Sequence, residues 1–496
     1  MSKKTEILLL LLIIAFGAFL RFYNLGEPSC FNDELETWRV ASYGSVGEMI
    51  KEGIIPDVHP PGYQIMMYFV VHYIGESEFW LRFPMAVFGI LSILMIYFLG
   101  KYLYSSREGL ISALMVTVLW APLYYSQEAR SHSMLFFLSM ISTFYWLKIL
   151  NDYYQDKNPK TSWIASYIIL SVIGIYSHYL LMYYIFLQGL FTLILFLKTP
   201  KYLLRCFLIY IIIIICYVPW MPYAIQHFQN SPPWFDKPHP LAFGHFLVFL
   251  FNMSNYILII AITLFILQAV NTIRNKHFYK NDFFISQDLF LWLWLLVPYF
   301  ILFAKSIISK STLTTFVLLL FGPPAYILFA RGITTLKLKE KWQNLIAIII
   351  FLIITLQLIF DLDYYSQPYK DRVNIFGRSF KIRSKQMFRE AAQYVKSFDS
   401  KYPNSIIAGY AWFPDYFNYY FRQLNLNRTV DIHVLDANDT TKFLDIKERF
   451  PENEYIWLLR GHLLYDSIYV DWMKNKFKLI HYEPMIGADV RLFKIP

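Results

Sequence analysis

The chain contains eleven runs of mostly apolar residues that are long enough, or nearly long enough, to cross a lipid bilayer. A spanning helix needs about 20 apolar residues, because the hydrocarbon core is about 30 Å thick. Lipid offers no hydrogen-bond partners to the backbone, so such runs must be helical. We therefore predict an all-α polytopic membrane protein with about 11 transmembrane helices. The predicted spans are 7–23, 82–104, 109–126, 132–150, 162–178, 180–197, 204–222, 244–270, 288–304, 312–331 and 342–360.

Composition agrees with a membrane-embedded chain. Charged residues make up 16% of the sequence, whereas soluble domains carry about 25%. The first apolar run is not followed by a small-residue cleavage site, so we interpret it as a retained span and not as a signal peptide. The three cysteines are too few and too scattered for a disulfide framework or a zinc site.

The orientation follows from the Lys and Arg residues of the connectors. One alternating set of connectors holds 17 of them, and the short connectors of the other set hold 4. The positive-inside rule then places the N-terminus in the cytoplasm and residues 24–81 outside. We expect the protein to lie in the plasma (inner) membrane. The net charge of +10 is spread over short connectors between spans, and this distribution argues against a nucleic-acid partner.

The last part of the chain, residues 361–496, has ordinary polarity and reads as an extracytoplasmic α/β domain. Apolar residues from Met387 to Phe398 recur at helical spacing. Further helical stretches lie near 414–421, 440–449 and 467–475. The predicted strands are Ser405–Tyr410, Val430–Val434, Tyr455–Leu459, Phe477–Tyr482 and Val490–Phe493. We therefore divide the chain into a membrane domain, residues 1–360, and this soluble domain, to which we assign a supporting or acceptor-docking role.

The first outer loop contains two adjacent carboxylates, Asp33 and Glu34, about ten residues after the first span. Adjacent carboxylates are common on solvated loops, so the pair by itself is weak evidence for catalysis. Near a membrane surface covered by aromatic residues, however, a carboxyl group can have a raised pKa and act as a general base. Neighbouring carboxylates can also share a divalent cation. A possible metal at Asp33 and Glu34 stays open, and no other cofactor is indicated.

A second rigid segment of the same loop is Asp57-Val-His59-Pro-Pro-Gly-Tyr63. Pro60 restricts His59 to extended geometry. The segment is either a simple turn before a short helix or part of a pocket shared with Asp33. In the second case Asp57, His59 and Tyr63 contact the substrate. His178, in a tight outer break between two spans, is a further pocket candidate, although a lone His there is more often structural.

The connector between the third and fourth spans is short and flanked by aromatic residues. It places Glu128, Arg130 and His132 two residues apart. A lone Arg at such a place is usually a solvated helix end. Arg also binds phosphate oxygens with two parallel hydrogen bonds, and a lipid phosphate at the membrane boundary is a natural ligand. We predict that Arg130 binds a phosphate and that Glu128 and His132 line the same pocket.

Three other cations are weaker candidates for binding the same phosphate. Arg82 lies at the start of the second span, and the alternative is that its side chain only snorkels to the interface. Lys305 and Lys310 lie in the outer connector before the tenth span. For these two lysines, loop solubility and a phosphate contact are equally good interpretations.

Four motifs in this order resemble a known family. They are Asp33-Glu34, His59-Pro-Pro-Gly62, Arg82-Phe-Pro84 and Ser126-Gln-Glu-Ala-Arg130. Together with the many spans and the outer C-terminal domain, they resemble glycosyltransferase family 39. That group contains the protein O-mannosyltransferases and prokaryotic relatives close to the lipid A aminoarabinose transferases. The match is specific over residues 20–150 and general beyond them.

The resemblance implies a GT-C fold and an enzyme that takes a sugar from a polyprenyl-phosphate donor on the outer face, usually with inversion. Asp33 would activate the acceptor hydroxyl, and Glu34 would assist it or orient the acceptor or a cation. Arg130, with Arg82 or a late-loop lysine, would hold the departing phosphate. The acceptor would be a protein, a lipid or a glycan, and membrane lipids would surround the site.

One departure from the family pattern concerns the late span. Members often carry an Arg-Tyr pair several residues before its proline, and here Thr315-Phe316 stands near that place, before Pro323. The late phosphate contact would then come from Lys305 or Lys310, or be missing. Two other interpretations stay open, a flippase of lipid-linked sugars and a non-catalytic assembly subunit. Flippases place ionisable residues inside their spans, whereas the conspicuous carboxylates here lie in outer loops. The sequence leaves the sugar, the acceptor and the oligomeric state open.

Overall fold

The computed structural model describes residues 2–230, 236–274, 287–362, 370–373, 379–382, 385–435, 440–461 and 468–496. Helices dominate it, as the apolar runs predict. In chain order they are α1 (Lys3–Phe22), α2 (Asn32–Ala41), α3 (Val46–Glu48), α4 (Gly62–Tyr73), α5 (Glu78–Leu103), α6 (Ser106–Val118), α7 (Trp120–Tyr124), α8 (His132–Tyr154), α9 (Thr161–Ser177), α10 (Leu180–Phe196), α11 (Pro200–Tyr217), α12 (Met221–Asn230), α13 (Ala242–Leu250), α14 (Asn255–Arg274), α15 (Gln287–Ile308), α16 (Pro323–Thr334), α17 (Glu340–Leu356), α18 (Phe388–Phe398), α19 (Asp415–Gln423), α20 (Ile446–Arg449) and α21 (Ile468–Lys476).

Within the described residues, seven helices are long and apolar enough to cross a membrane, or up to eight if a bent pair counts as one span. Each of the eleven predicted spans coincides with one of these or with a shorter helix. The shorter ones are α9 and α10, with 17 residues each, and α16, with 12. α16 is short because Pro323 and Pro324 start it, and its residues Ala325–Ala330 are wholly buried inside the bundle. The chain is a multi-pass membrane protein.

The bent pair consists of α6 and α7, which meet at an angle of 64° around Leu119. Pro122 cannot donate a hydrogen bond to the carbonyl of Val118, so the helix cannot continue unbroken. The free backbone N–H of Trp120 instead donates to Oδ1 of Asn252 at 2.6 Å. Asn252 lies in a buried break between α13 and α14 with φ 59°. The bend directs the chain after α7 across the end of the bundle, towards α2.

The C-terminal domain is built around a five-stranded sheet, and the predicted α/β character is confirmed. Its strand order is β4-β3-β5-β7-β6, with β3 parallel to β4 and β5, and β7 antiparallel to β5 and β6. An additional hairpin, β1 and β2, was not predicted. The strands are β1 (Lys370–Val373), β2 (Ser379–Ile382), β3 (Ser405–Tyr410), β4 (Ile432–Val434), β5 (Tyr455–Gly461), β6 (Lys478–Met485) and β7 (Ala488–Lys494).

The C-terminal domain packs directly on the first outer loop. The backbone N–H of Cys30 donates to the Tyr420 hydroxyl at 2.6 Å. The rings of Trp38 and Tyr419 lie 4.6 Å apart. One continuous apolar core therefore joins α2, on the loop, to α19, on the C-terminal domain. The predicted domain boundary at residue 360 stays a prediction.

Candidate active site

Both loop carboxylates lie in the first turn of α2, which begins directly after the extended residue Phe31. Oε2 of Glu34 accepts the backbone N–H of Phe31 at 3.3 Å, as in a capping box. Negative charge at this end also complements the helix dipole. Consecutive helical residues point about 100° apart. Asp33 and Glu34 therefore face different surroundings, although they are neighbours in the sequence.

The Glu34 carboxylate is completely buried and is surrounded by hydrogen-bond donors. Nε and Nη2 of Arg82 donate to its two oxygens at 2.8 Å, and Nζ of Lys385 donates to Oε1 at 2.8 Å. The backbone N–H of Ala129 also donates to Oε1 at 2.8 Å. Burial alone would raise the pKa of the Glu34 carboxyl, but the charges of Arg82 and Lys385 hold it at about 2. Glu34 is thus an anchor between four segments, and a contact of Glu34 with the acceptor stays a prediction.

The same contacts bear on a metal ion shared by Asp33 and Glu34. A carboxylate whose oxygens already bind a guanidinium, an ammonium and backbone N–H groups has no lone pair directed at a cation. No group of three or more His, Cys, Asp or Glu side chains suited to a metal occurs in the described part of the chain. The residues present do not fit a divalent cation bridging Asp33 and Glu34, and we assign no chemistry to one.

Arg82 is held by contacts of the same kind. Its side chain is fully buried, and besides Glu34 it reaches the carbonyl oxygens of Leu25, Pro28 and Ser29 at 2.7–3.1 Å. All five N–H groups of the guanidinium are used by these contacts. These contacts favour a structural role for Arg82, and its role as a ligand of the donor phosphate stays a prediction.

Asp33, in contrast, is partly exposed. Among the described residues, its carboxylate accepts one weak hydrogen bond, from Nδ2 of Asn32 at 3.4 Å. Its backbone carbonyl accepts the Thr37 hydroxyl at 3.1 Å, which holds the first turn of the helix in place. The arrangement leaves most of the carboxylate's lone pairs available to a substrate hydroxyl.

Arg130 reaches the same place from the connector that follows α7. Its Nη1 lies 3.5 Å from the backbone carbonyl oxygen of Asp33, at the limit of a hydrogen bond. The guanidinium is half-buried and interacts electrostatically with Asp33, Tyr63, Asp57 and Glu128. A cation in such a position can hold an anionic group within reach of the Asp33 carboxylate.

Glu128 precedes Arg130 in the same connector, and its side chain is 5% exposed. Among the described residues, its Oε2 has no hydrogen-bond partner. Burial raises the pKa of the Glu128 carboxyl to about 8. The ammonium of Lys385 opposes this rise, and the carboxylates of Glu34 and Asp33 add to it. The site therefore contains one carboxylate that is held ionised, Glu34, and one that resists ionisation.

The His59 segment forms another wall of the site. Nδ1 of His59 lies 2.8 Å from Oδ2 of Asp57, and the His59 and His178 rings are 6.1 Å apart. Gly62 allows its segment to approach the end of α9 closely. A Cβ at position 62 would lie 2.8 Å from the carbonyl oxygen of Tyr176, two residues before His178. Tyr63, in the first turn of α4, is buried and interacts electrostatically with Arg130. The residues predicted from separate motifs are thus brought together here.

His132 lies at the start of α8 and stacks edge-on against two aromatic rings. Tyr125 is 5.1 Å away and Phe316 is 5.4 Å away, between ring centroids. Phe316 stands where the family carries a polar Arg-Tyr pair, and it presents an apolar ring to this part of the site. Whether a late contact to a donor phosphate exists here stays a prediction.

Lys305 and Lys310 donate to nearby oxygens. Nζ of Lys305 donates to the carbonyl of Lys310 at 2.9 Å and to the Thr312 hydroxyl at 3.2 Å. Nζ of Lys310 donates to the carbonyl of Gln229 at 2.7 Å, and this side chain is exposed. These contacts hold the segment before Phe316 to α12. A phosphate contact of either lysine stays a prediction.

Two residues of the site were not found from the sequence, Lys385 and Gln386. Lys385 is 7% exposed, and its Nζ donates to Glu34 and to the carbonyl oxygen of Gln127, each at 2.8 Å. Oε1 of Gln386 accepts the backbone N–H of Asn32 at 2.8 Å. Lys385 lies 351 residues after Glu34, in a polar stretch with no local motif. No signal in a single sequence could have placed these two residues here.

Glu128 gives a prediction about stability and pH. Its pKa in the folded protein is raised, so its contribution to stability is full below its ordinary value near 4.5 and is lost as the pH rises towards 8. Glu128→Gln removes the ionisable group, so the variant does not lose this stability as the pH rises. We expect the variant's melting temperature to exceed that of the wild type by roughly 5 °C at pH 8.5, and the difference to shrink towards pH 5. Thermal unfolding in detergent across this range measures it, and parallel curves for the two proteins would contradict the assignment.

Comparisons with known proteins support the resemblance found in the sequence. Residues 58–223 match the family model described as dolichyl-phosphate-mannose-protein mannosyltransferase. The matched region contains His59, Glu128 and Arg130, and it begins after Asp33. No curated protein matches the chain by sequence.

Solved structures show the fold. The structures of ArnT from Cupriavidus metallidurans, in the apo state and bound to undecaprenyl phosphate, each match with a TM-score of 0.60 at 11% identity, over 99% of this chain and 98% of theirs. The archaeal oligosaccharyltransferase AglB from Archaeoglobus fulgidus, in complex with an inhibitory peptide and a dolichol-phosphate, matches with a TM-score of 0.56 at 11% identity, over 92% of this chain and 69% of its own. The predicted GT-C fold is confirmed by these matches.

Proposed function

We propose that this protein is a membrane glycosyltransferase that moves a sugar from a polyprenyl-phosphate donor to an acceptor hydroxyl, with Asp33 as the general base. The observation that carries the proposal is the pairing of a partly exposed, weakly bonded carboxylate with a half-buried guanidinium. Asp33 and Arg130 come from distant parts of the chain and meet within 3.5 Å, through the Asp33 carbonyl. The surrounding buried ion pairs hold both segments in place.

The reaction needs a proton acceptor on one side of the anomeric carbon and a stabilised leaving group on the other. Asp33 takes the proton of the acceptor hydroxyl as that oxygen forms a bond to the anomeric carbon. The bond between the anomeric carbon and the phosphate oxygen breaks, and polyprenyl phosphate leaves with the electron pair. Arg130 stabilises the negative charge of the departing phosphate. Attack opposite the leaving group inverts the anomeric configuration.

The family match and the related structures support the choice of donor. The match to a mannosyltransferase family covers the segment that contains Arg130 and His59. One structure of the same fold is bound to undecaprenyl phosphate, and another is in complex with a dolichol-phosphate. A lipid-borne donor also explains why the proposed site lies at the ends of membrane helices.

We place the reaction on the outer face of the plasma membrane, with the N-terminus in the cytoplasm. The charge bias of the connectors supports this orientation. The C-terminal domain contacts the segment that carries Asp33, so it lies on the same side as the site. The acceptor, a protein, a lipid or a glycan, would approach between that domain and α2. At this edge the guanidinium of Arg39 stacks on the Phe413 ring at 3.8 Å.

Arg130 gives a prediction about donor binding. Arg130→Gln keeps a polar but shorter side chain and removes its charge, so the donor phosphate loses its cation. We expect the KM for the donor to rise at least tenfold, with kcat also reduced, because the charge on the leaving phosphate grows in the transition state. Steady-state kinetics with varied donor measure both constants. Arg130→Lys should retain part of the affinity, since it keeps the charge without the two-pronged geometry. Unchanged donor kinetics in Arg130→Gln would contradict the assignment.

Sugar transfer by the purified, lipid-reconstituted protein tests the function itself. The assay offers a panel of radiolabelled polyprenyl-phosphate sugars, with membrane extract as the acceptor. Transfer of label to an acceptor is the expected result. Movement of the labelled lipid across the vesicle without transfer would replace the proposal with a flippase. Neither transfer nor movement with any donor would favour a non-catalytic subunit.

A further inference from the structure

One contact between the C-terminal domain and the membrane domain is made by a buried lysine near the proposed base. Lys385 lies just before α18, and its ammonium bridges the Glu34 carboxylate and the Gln127 carbonyl, at 2.8 Å each. Glu34 follows Asp33 directly in the chain, and Gln127 precedes Arg130 by three residues. The single ammonium therefore ties the segment of the proposed base to the segment of the proposed phosphate ligand.

We propose that Lys385 is a positioning residue, which sets the separation between Asp33 and Arg130 from the C-terminal domain. This inference rests on the proposed function. Lys385 itself does not touch the substrate, because its amino group is buried behind Glu34. Its effect on the reaction passes through the two segments that it joins.

The buried ammonium of Lys385 is held by its hydrogen bonds to the ionised Glu34 carboxylate and to the Gln127 carbonyl. Glu34 carries one negative charge and contacts two cations, Arg82 and Lys385. Glu128 is the neighbouring carboxyl that interacts with Lys385. Without Lys385, Arg82 would still pair with Glu34, but the hydrogen bond that draws the connector at Gln127 towards α2 would be gone. The connector would then be held to α2 by the Ala129 N–H on Glu34 and by the Thr37 hydroxyl on the Ala129 carbonyl.

A second contact from the same segment acts on the same helix end. Oε1 of Gln386 accepts the N–H of Asn32 at 2.8 Å, which is one of the free donors of the first turn of α2. Lys385 and Gln386 thus bind the residues on both sides of Asp33. The C-terminal domain therefore holds the first turn of α2 from both sides of the proposed base.

Other contacts of the same interface lie farther along it and serve as controls. Nη2 of Arg422 pairs with Oε2 of Glu76 at 2.7 Å, and this Arg is exposed. Neither partner is bonded to α2's first turn or to the connector of Arg130. Arg422→Ala removes an ion pair between the same two domains without touching the cluster around Glu34.

The experiment compares Lys385→Met, Lys385→Arg and Arg422→Ala in the full-length reconstituted protein. We expect Lys385→Met to lower kcat by about 30- to 100-fold, with the KM for the donor changed less than threefold, because Arg130 is still present. Lys385→Arg should recover at least a third of the wild-type kcat, since it keeps the charge. Arg422→Ala should retain wild-type kinetics. Thermal unfolding of each variant shows whether it is folded.

A double-mutant cycle of Lys385 and Glu34 distinguishes a positioning role of Lys385 from a simple loss of stability. If Lys385 acts through Glu34, the effects of Lys385→Met and Glu34→Gln on kcat overlap, and the double variant loses much less than the product of the two. A merely structural role would instead lower the amount of folded enzyme and leave kcat per folded molecule unchanged. Wild-type kcat in folded Lys385→Met would overturn the inference while leaving the proposed function intact. Absence of transfer by the wild type would instead remove the proposed function.

Discussion

Asp33→Asn is expected to lower kcat for sugar transfer by about 1,000-fold while the protein stays folded. A general base contributes about 10²- to 10⁴-fold, and asparagine cannot accept the proton of the acceptor hydroxyl. The fold should tolerate the change, because the Asp33 carboxylate is partly exposed and accepts one weak hydrogen bond among the described residues. The KM for the donor should change little, because Arg130 binds the phosphate and remains.

The matched control for this experiment is Glu36→Gln, on the same helix. Glu36 pairs with Arg39 at 2.8 Å and accepts the Tyr416 hydroxyl at 2.9 Å, so it is a carboxylate with structural partners. Glu36→Gln should keep kcat within about threefold of the wild type. Initial rates at saturating donor, divided by the amount of monodisperse protein, measure both variants. Equal transfer by Asp33→Asn and the wild type would show that another group accepts the proton.

Arg82→Leu is expected to prevent folding or to lower stability by about 3–5 kcal/mol, the usual cost of leaving one partner of a buried ion pair alone. The variant leaves Glu34 with Lys385 as its remaining cation and three carbonyl oxygens without their donor. The yield of monodisperse protein in detergent and the melting temperature measure the effect. Glu34→Leu should be similarly harmful, because it leaves Arg82 and Lys385 buried without an anion.

Arg130→Gln is the control for Arg82→Leu. Arg130 is half-buried and makes one long hydrogen bond, so its loss should leave the melting temperature within about 2 °C of the wild type while donor binding weakens. We therefore expect the Arg82 variant to lose stability and the Arg130 variant to change the donor kinetics. A folded Arg82→Leu with normal melting and a raised donor KM would show that Arg82 does bind the phosphate, as the resemblance implied.

The pair Asp33-Glu34 shows where interpretation of the sequence stops. The two residues share charge, loop and helix turn, and nothing local distinguishes them. Their roles differ because the helix turns them in different directions, and what lies in each direction comes from other parts of the chain. Arg82, Ala129 and Lys385 enclose Glu34. Asp33 is left partly exposed, and this difference from the buried Glu34 supports the assignment of Asp33 as the base.

The sequence by itself determined the membrane architecture and the elements of the C-terminal domain. Both follow from local rules, because an apolar run of span length is helical in lipid wherever it occurs, and alternating or helical periodicity identifies strands and helices. All five predicted strands of the C-terminal sheet match strands of the structure to within a few residues. The motifs at Asp33, His59 and Arg130 also identified segments that the fold brings together.

The tertiary structure alone decided which charged residues are buried and which face the substrate. Burying a charge is costly unless a partner reaches it, and the partners here come from segments up to 351 residues apart, as with Lys385 and Glu34. Contacts of this kind also favour a structural role for Arg82. Desolvation and pairing depend on the three-dimensional surroundings of each group. For that reason motifs identified several segments of the site, but neither Lys385 and Gln386 nor the division of roles could be predicted.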